Sequence, residues 1–302
     1  MDAARSPNSA GDHDGDPRPN CAGTIGPIVE GTGIAAAAAL EAVAQLGYSA
    51  VQWSGTTPSL RPREIDTSAR RGIRGQLQRL ELQCAGIDLF IPPSQFLDDA
   101  TIDRAVAAVE HAIRFVADIA GSGLSADARP TVSLLLPTAR EREPETAAAA
   151  QCAAALDHLV TVAERDGIQL ADLTAAVDED AARTRIGISV DPALVLAASR
   201  DPAAAVLAAG SNLVSARLVD LYRSGLRGPI GEPGEARLKV DAYRVALDIV
   251  GYRRALVVDA RQWRDPFGGL RVSLERWCGR TFQARPLHDI PRQQAKQPGG
   301  GQ

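Results

Sequence analysis

"RIGISVDPALVLAAS", residues Arg185–Ser199, decides how this chain is read. A run of β-branched and apolar residues ends on a carboxylate, Asp191, and Pro192 then opens a second apolar segment. Near-continuous apolarity is what a strand buried on both faces requires. Proline in a first helical turn gives up no hydrogen bond. The stretch reads as a buried strand, a turn and a helix. Asp191 is then either an N-cap for the first free amides or a site residue at the C-terminal end of a strand, and both roles are compatible.

The same rhythm repeats on either side. Strand-like runs are "GTIGPIVE" (23–30, the weakest), "YSAVQW" (48–53), "QCAGIDLFI" (83–91), "TVSLLL" (131–136), "GIQLADL" (167–173), "RIGISVD" (185–191), "NLVSARLVD" (212–220) and "RALVVDA" (254–260). Helical patterns fill 35–46, 66–83, 101–120, 145–166, 192–199, 201–209 and 238–250. In the third of these, Ile102, Val106, Val109, Ile113 and Val116 form one apolar stripe. Eight strands alternating with helices over ~260 residues predict an α/β chain folded as a (β/α)8, or TIM, barrel. The expected domain spans 21–282, between disordered tails at 1–20 and 283–302. A doubly wound sheet shares the rhythm, but "GTGIAAAA" (31–38) lacks the third glycine of a dinucleotide loop and reads as a turn into an alanine-rich helix.

Composition bounds the function. The 302 residues are 45% apolar, 23% charged and 4% aromatic, with a net charge of −4. There is no basic field for nucleic acid, and no apolar run reaches the roughly 18 residues that cross a bilayer. The N-terminus "MDAARSPNSAGDHDGDPRPN" has no signal-peptide core, so a cytoplasmic location is expected. Cys21, Cys84, Cys152 and Cys278 have no metal-knuckle spacing and are expected to be reduced thiols.

In such barrels the chemistry sits at the C-terminal ends of the strands. The polar residues there are Gln52, Trp53, Asp88, Thr138, Asp172, Asp191, Arg217 with Asp220, and Asp259. In order and spacing, several stretches resemble the xylose-isomerase-like family of sugar phosphate isomerases and epimerases. They are "LEAVAQLGYSAVQW", "LDHLVTVAERDGIQLADL", "IGISVDPALVLAASRDPAAAV", "NLVSARLVD" and "IGEPGEARLKVDAYRVALDIVGYRRALVVDA". The likeness covers about residues 24–280. It implies a barrel that acts on a sugar or sugar phosphate, with a divalent metal held by two glutamates, an aspartate and a histidine. The metal stabilises an enediolate while the glutamates move a proton.

Against that pattern the sequence departs sharply. Asp191 matches outright; the earlier glutamate becomes Asp172 or, one register over, Leu173. One histidine position carries Leu194 and the other Arg217, with Asp220 retained, and the last glutamate becomes Asp259. His13, His111, His158 and His288 fall at no strand end. A guanidinium repels a dication and pairs with carboxylates, so Arg217 is expected in the metal's place, neutralising Asp191 and Asp259.

The resulting expectations are catalytic Asp172, Asp191 and Asp259, and substrate-binding Arg217, Asp220, Trp53, Gln52 and Asp88. No cofactor is expected and a divalent metal is disfavoured. The partner is a small sugar or sugar phosphate, not nucleic acid or membrane. Two functions fit: an isomerase or epimerase whose metal-dependent route is weakened or lost, and a non-catalytic barrel that binds such a molecule. The loop "SGTTPSLRPREID" offers Arg61 and Arg63 to an anion or to solvent, "DLFIPPSQF" a pocket wall with Phe90 and Gln95, and "RGPIGEPGE" reads as a mobile loop.

Overall fold

A computed structural model describes residues 20–33, 35–121, 129–142, 146–176, 178, 185–279 and 281. The two expected tails lie almost wholly outside these, as do His13 and His288.

Eight parallel strands close into a barrel: β1 (Cys21–Thr24), β2 (Ala50–Ser54), β3 (Gln83–Leu89), β4 (Thr131–Leu134), β5 (Gln169–Asp172), β6 (Gly187–Val190), β7 (Leu213–Leu218) and β10 (Leu256–Val258). Each pairs with its neighbours, and β10 closes on β1 through Cys21 to Leu256 and Gly23 to Val258. A two-stranded antiparallel ribbon, β8 (Asp220–Leu221) with β9 (Arg227–Gly228), follows β7. The helices are α1 (Gly26–Thr32), α2 (Ala36–Gln45), α3 (Thr67–Arg79), α4 (Ile102–Ala120), α5 (Ala147–Arg165), α6 (Pro192–Ala197), α7 (Pro202–Ala209), α8 (Val240–Ile249) and α9 (Pro266–Cys278). The run 23–30 is a strand only in its first two residues. Pro27 has no amide to donate to a sheet, and from Gly26 the chain turns into α1.

Strand alternation divides the side chains. Outward residues such as Val51, Trp53, Ile87, Val132, Leu134 and Val258 join one large apolar cluster with the helices. The inward set is small and polar: Ala22, Ala50 and Val257 at the bottom, then Gln52, Ser133, Ser189 and Ser215, all buried.

Two bulges fix which residues face inward. In β3, Val51 pairs with Cys84 but Gln52 pairs with Gly86, leaving Ala85 as an extra residue. Between β6 and β7, Ile188 pairs with Leu213 but Ser189 pairs with Ser215, leaving Val214 extra. An extra residue reverses the alternation beyond it. Without these bulges Asp88 and Arg217 would point outward into the apolar layer.

Gly86 makes the first bulge possible. Its φ is +149°, and a Cβ there would lie 2.0 Å from the backbone oxygen of Thr131. Gly86→Ala is therefore expected to destabilise the barrel at or beyond the upper end of the ~1–3 kcal/mol typical of overpacking. A denaturant midpoint equal to that of the parent chain would show that the backbone yields cheaply there.

Candidate functional site

The C-terminal mouth of the barrel gathers three aspartates and three arginines. Asp88 ends the inward series of β3, Asp191 follows β6 and Asp259 follows β10. All three are essentially buried, as is Arg217. Arg217 reaches across the bore from β7 and grips Asp88 with both terminal nitrogens, one of them at 3.0 Å. It also donates to Asp259 at 3.1 Å. Gln52 Nε2 donates to the same Asp88 carboxylate at 2.9 Å.

The other two guanidiniums join Asp191 to Asp259. Arg227 Nη2 donates to both, at 2.9 Å each. Arg261 donates through Nε to Asp259 at 2.8 and 2.9 Å and through Nη2 to Asp191 at 3.2 Å. Its guanidinium also rests on the Phe90 ring, 3.7 Å from the centroid. Burial pushes the Asp259 carboxyl up, but Arg261, Arg227 and Arg217 override it and hold the group well below the usual carboxylate range.

Asp191 fills both roles its sequence allows. Its Oδ1 accepts from the amides of Ala193 at 3.0 Å and Leu194 at 3.3 Å, capping α6, while the same carboxylate holds Arg227 and Arg261. Arg217 does neutralise Asp259. It makes no direct hydrogen bond to Asp191, however; its second acid is Asp88, and Asp191 is served by Arg227 and Arg261. The segment "RGPIGEPGE", expected to be a mobile loop, spans residues 227–235. It begins on β9 and delivers Arg227, and its Glu232 pairs with Arg276 at 3.1 Å.

Other expected site residues stand elsewhere. Asp172 pairs in register with Leu134 and Ile188, which face the helices. The inward position beside it belongs to Leu173, just as Leu135 lines the mouth while Leu134 and Leu136 do not. Trp53 also faces outward: its indole donates to the carbonyl of Leu60 at 2.8 Å and packs 5.1 Å from Phe115. Asp220 is buried and accepts from the amides of Arg237 at 3.0 Å and Leu238 at 2.9 Å, which makes it an anchor for the connection into α8. His111 and His158 sit on α4 and α5; His158 lies 2.7 Å from Glu110, far from the mouth in the fold. Arg61 pairs with Glu64 at 3.2 Å at the surface. The four cysteines are free.

Burial pushes the Asp172 carboxyl up to about 6 against the amides of Thr174, Leu136 and Ala175 and the guanidinium of Arg142. A carboxyl whose folded value is raised holds its proton more tightly folded than unfolded. Its favourable contribution is complete below the unfolded value near 4 and is lost as pH rises through about 6. Asp172→Asn, which mimics the protonated form, is thus expected to gain on the parent chain between pH 4.5 and 7.5, by at most about 3 kcal/mol. Chemical denaturation at the two pH values measures this; a pH-independent difference would mean Asp172 is ordinary in the folded state.

Above the six charges lies a cavity of about 840 Å³. Arg227 and Arg261 form its floor, Phe90, Leu135, Leu194 and Trp263 its apolar wall, and Ser54, Thr56, Thr57, Glu30 and Arg264 its polar groups. Neither Arg227 nor Arg261 was singled out from the sequence. For Arg261 a signal was available, since it stands only two residues after Asp259 at a strand end, whereas nothing next to Arg227 in the sequence ties it to Asp191 or Asp259. Among the described residues, no group of three or more His, Cys, Asp or Glu is placed to hold a metal ion, and no helix is long and apolar enough to cross a membrane.

No family profile and no curated protein matches the chain. Solved structures do. A xylose isomerase domain protein from Planctomyces limnophilus superposes with a TM-score of 0.61 at 20% identity, over 80% of this chain and 91% of its own. A D-allulose 3-epimerase from Methylomonas sp., in complex with D-allulose, gives 0.59 at 18% identity over 81% and 91%. A probable 3-DHS dehydratase from Bacillus anthracis gives 0.61 at 9% identity over 84% and 97%. The chain has the barrel fold that these xylose-isomerase-like, sugar-epimerase and dehydratase proteins share.

Proposed function

We propose that this protein is a metal-independent barrel that binds a sugar or sugar phosphate in its mouth cavity, and that isomerisation through a divalent metal has been lost. The observation that supports this reading is the closed set of ion pairs beneath the cavity. A divalent ion shared by the carboxylates would take the place that Arg227 and Arg261 fill between Asp191 and Asp259. The donor set is three carboxylates against three permanent cations, with Leu194 and Arg217 at the histidine positions the resemblance implies. These residues do not fit the ion.

The same pairing argues against acid–base chemistry by the acids themselves. A base that removes a proton beside a carbonyl works best with a pKa near the working pH, whereas Asp259 is held far below it. Asp172 has the better pKa but faces the helices. What the mouth offers instead is binding chemistry: guanidinium donors, hydroxyls, and the apolar faces of Phe90 and Trp263 in a cavity of the size that small ligands fill. Sugar-bound relatives of this fold, such as the D-allulose complex, agree with a ligand of that size.

The test is calorimetric titration of free sugars and their phosphate esters, with and without a chelator. Saturable binding that chelator leaves unchanged, and that Leu194→Trp abolishes by filling the wall, is the expected result. Chelator-sensitive binding, or sugar turnover that requires added Mn²⁺, would overturn the reading.

A further inference from the structure

Among the described residues, four that are not glycine hold a positive φ: Ser59 at +68°, Glu81 at +54°, Ser199 at +57° and Gln262 at +64°. A side chain crowds the backbone in this left-handed region, so glycine is its usual occupant. Glu81 and Ser199 stand just past the ends of α3 and α6, where helices commonly close in this conformation. The other two lie in loops at the C-terminal end of the barrel.

Gln262 belongs to the turn that follows β10. The amide of Trp263 donates to the carbonyl of Ala260 at 3.2 Å, closing four residues, and the positive φ falls on the third. Arg261, before it, has no positive φ, so the turn has the type II pattern, whose third position calls for glycine or asparagine. Ser59 holds the same place in the turn from Thr57 to Leu60, closed at 3.1 Å, where Pro58 sets the preceding φ. The two differ in surroundings. Gln262 lines the mouth cavity, as do its neighbours Arg261 and Trp263, whereas Ser59 stands outside that wall. A long polar side chain kept where the backbone favours none is a local conflict, and such conflicts gather at binding sites.

On the reading that the mouth binds a sugar, we propose that Gln262 selects the ligand by gripping two neighbouring hydroxyls of its ring or chain. The carboxamide presents an acceptor oxygen and a donor NH2 side by side. Adjacent hydroxyls match that pair, one donating and the other accepting. The guanidiniums of Arg227, Arg261 and Arg264 on the same wall only donate, so they cannot make this distinction. A ligand lacking one hydroxyl leaves half of the amide unpaired, which is how a polar site rejects an analogue.

Calorimetric titration with D-allulose, D-fructose, their 6-phosphates and their monodeoxy analogues tests this. Gln262→Gly is expected to weaken binding of the preferred sugar about tenfold, the worth of one or two neutral hydrogen bonds. Its thermal midpoint should stay level or rise, because glycine relieves the left-handed backbone. Gln262→Asn suits the turn but lacks the reach, and repeats the weakening without the added freedom of glycine. Removing either of the two gripped hydroxyls should cost the parent chain severalfold in affinity and cost Gln262→Gly almost nothing. Ser59→Gly, at the matching position outside the cavity, should leave binding unchanged. A Gln262→Gly chain that binds as the parent does, or that discriminates against the same deoxy sugars, overturns the proposal and leaves the sugar reading standing. So does a parent chain indifferent to every single deoxygenation. A parent chain that binds none of these sugars overturns both.

Discussion

Arg217→Met is expected to lower folding stability by about 3–5 kcal/mol, the range seen when one partner of a buried ion pair is removed. The loss falls unevenly on the two acids. Asp259 keeps Arg227 and Arg261. Asp88 keeps only the Gln52 amide among the hydrogen bonds described for it, and it is 2% exposed. Most of the penalty is therefore one stranded carboxylate. Adding Asp88→Asn removes that charge, so the double variant is expected to recover more than half of the loss. Urea denaturation of the two single variants and the double gives the coupling directly. Additive effects of the two substitutions would show that Asp88 does not depend on Arg217.

The second large effect concerns the pair that Arg227 and Arg261 hold together. Removing both with Arg227→Ala, Arg261→Ala leaves Asp191 and Asp259 facing each other across the space of one guanidinium nitrogen, 2.9 Å from each. Two carboxylates so placed cannot both ionise cheaply, and one is expected to retain a proton toward neutral pH. In the parent chain the Asp259 carboxyl is held low, so its stabilising contribution is present above the unfolded carboxylate value and is lost only on acidification. In the variant the sign reverses: stability is best in acid and falls as pH rises. A divalent cation then has the oxygen ligands it favours. Mn²⁺ is expected to bind the variant at least tenfold more tightly than the parent chain and to raise the variant's thermal midpoint. Calorimetry and thermal melts at pH 5 and 8 with and without Mn²⁺ decide this. A variant indifferent to the metal would mean that the arginines do not stand in a cation's place.

Much of the fold was legible in the chain, and for local reasons. A doubly buried strand must be apolar along its length, and Val, Ile and Leu runs at regular intervals announced each barrel strand except the first. There Ala22 and Gly23 give no hydrophobic signal, and the apolar residues that follow belong to α1. Asp191 was legible twice over, as a cap before Pro192 and as an acid at a strand end. Asp259 and Arg217 were legible because a charge closing an apolar run needs a partner. Trp53 and Asp172 were misplaced by the ambiguity inherent in a period of two: adjacent residues of a strand point to opposite faces, and a strand apolar on both gives no hint which is which.

That ambiguity marks the division between sequence and structure. The sequence alone determined the order of strands and helices, the closed α/β architecture and the presence of Asp191, Arg217 and Asp259 at strand ends, since these depend on hydrophobic period, turn chemistry and residue identity. Only the tertiary structure decided that Asp88 and Arg217 meet inside the bore, because each owes its direction to a bulge, at Ala85 and at Val214, that exists only when neighbouring strands pair. It also decided that Arg227 and Arg261 complete the cluster. Their charges are drawn to the mouth by two acids from distant strands, and that attraction arises only once the barrel has brought those ends together.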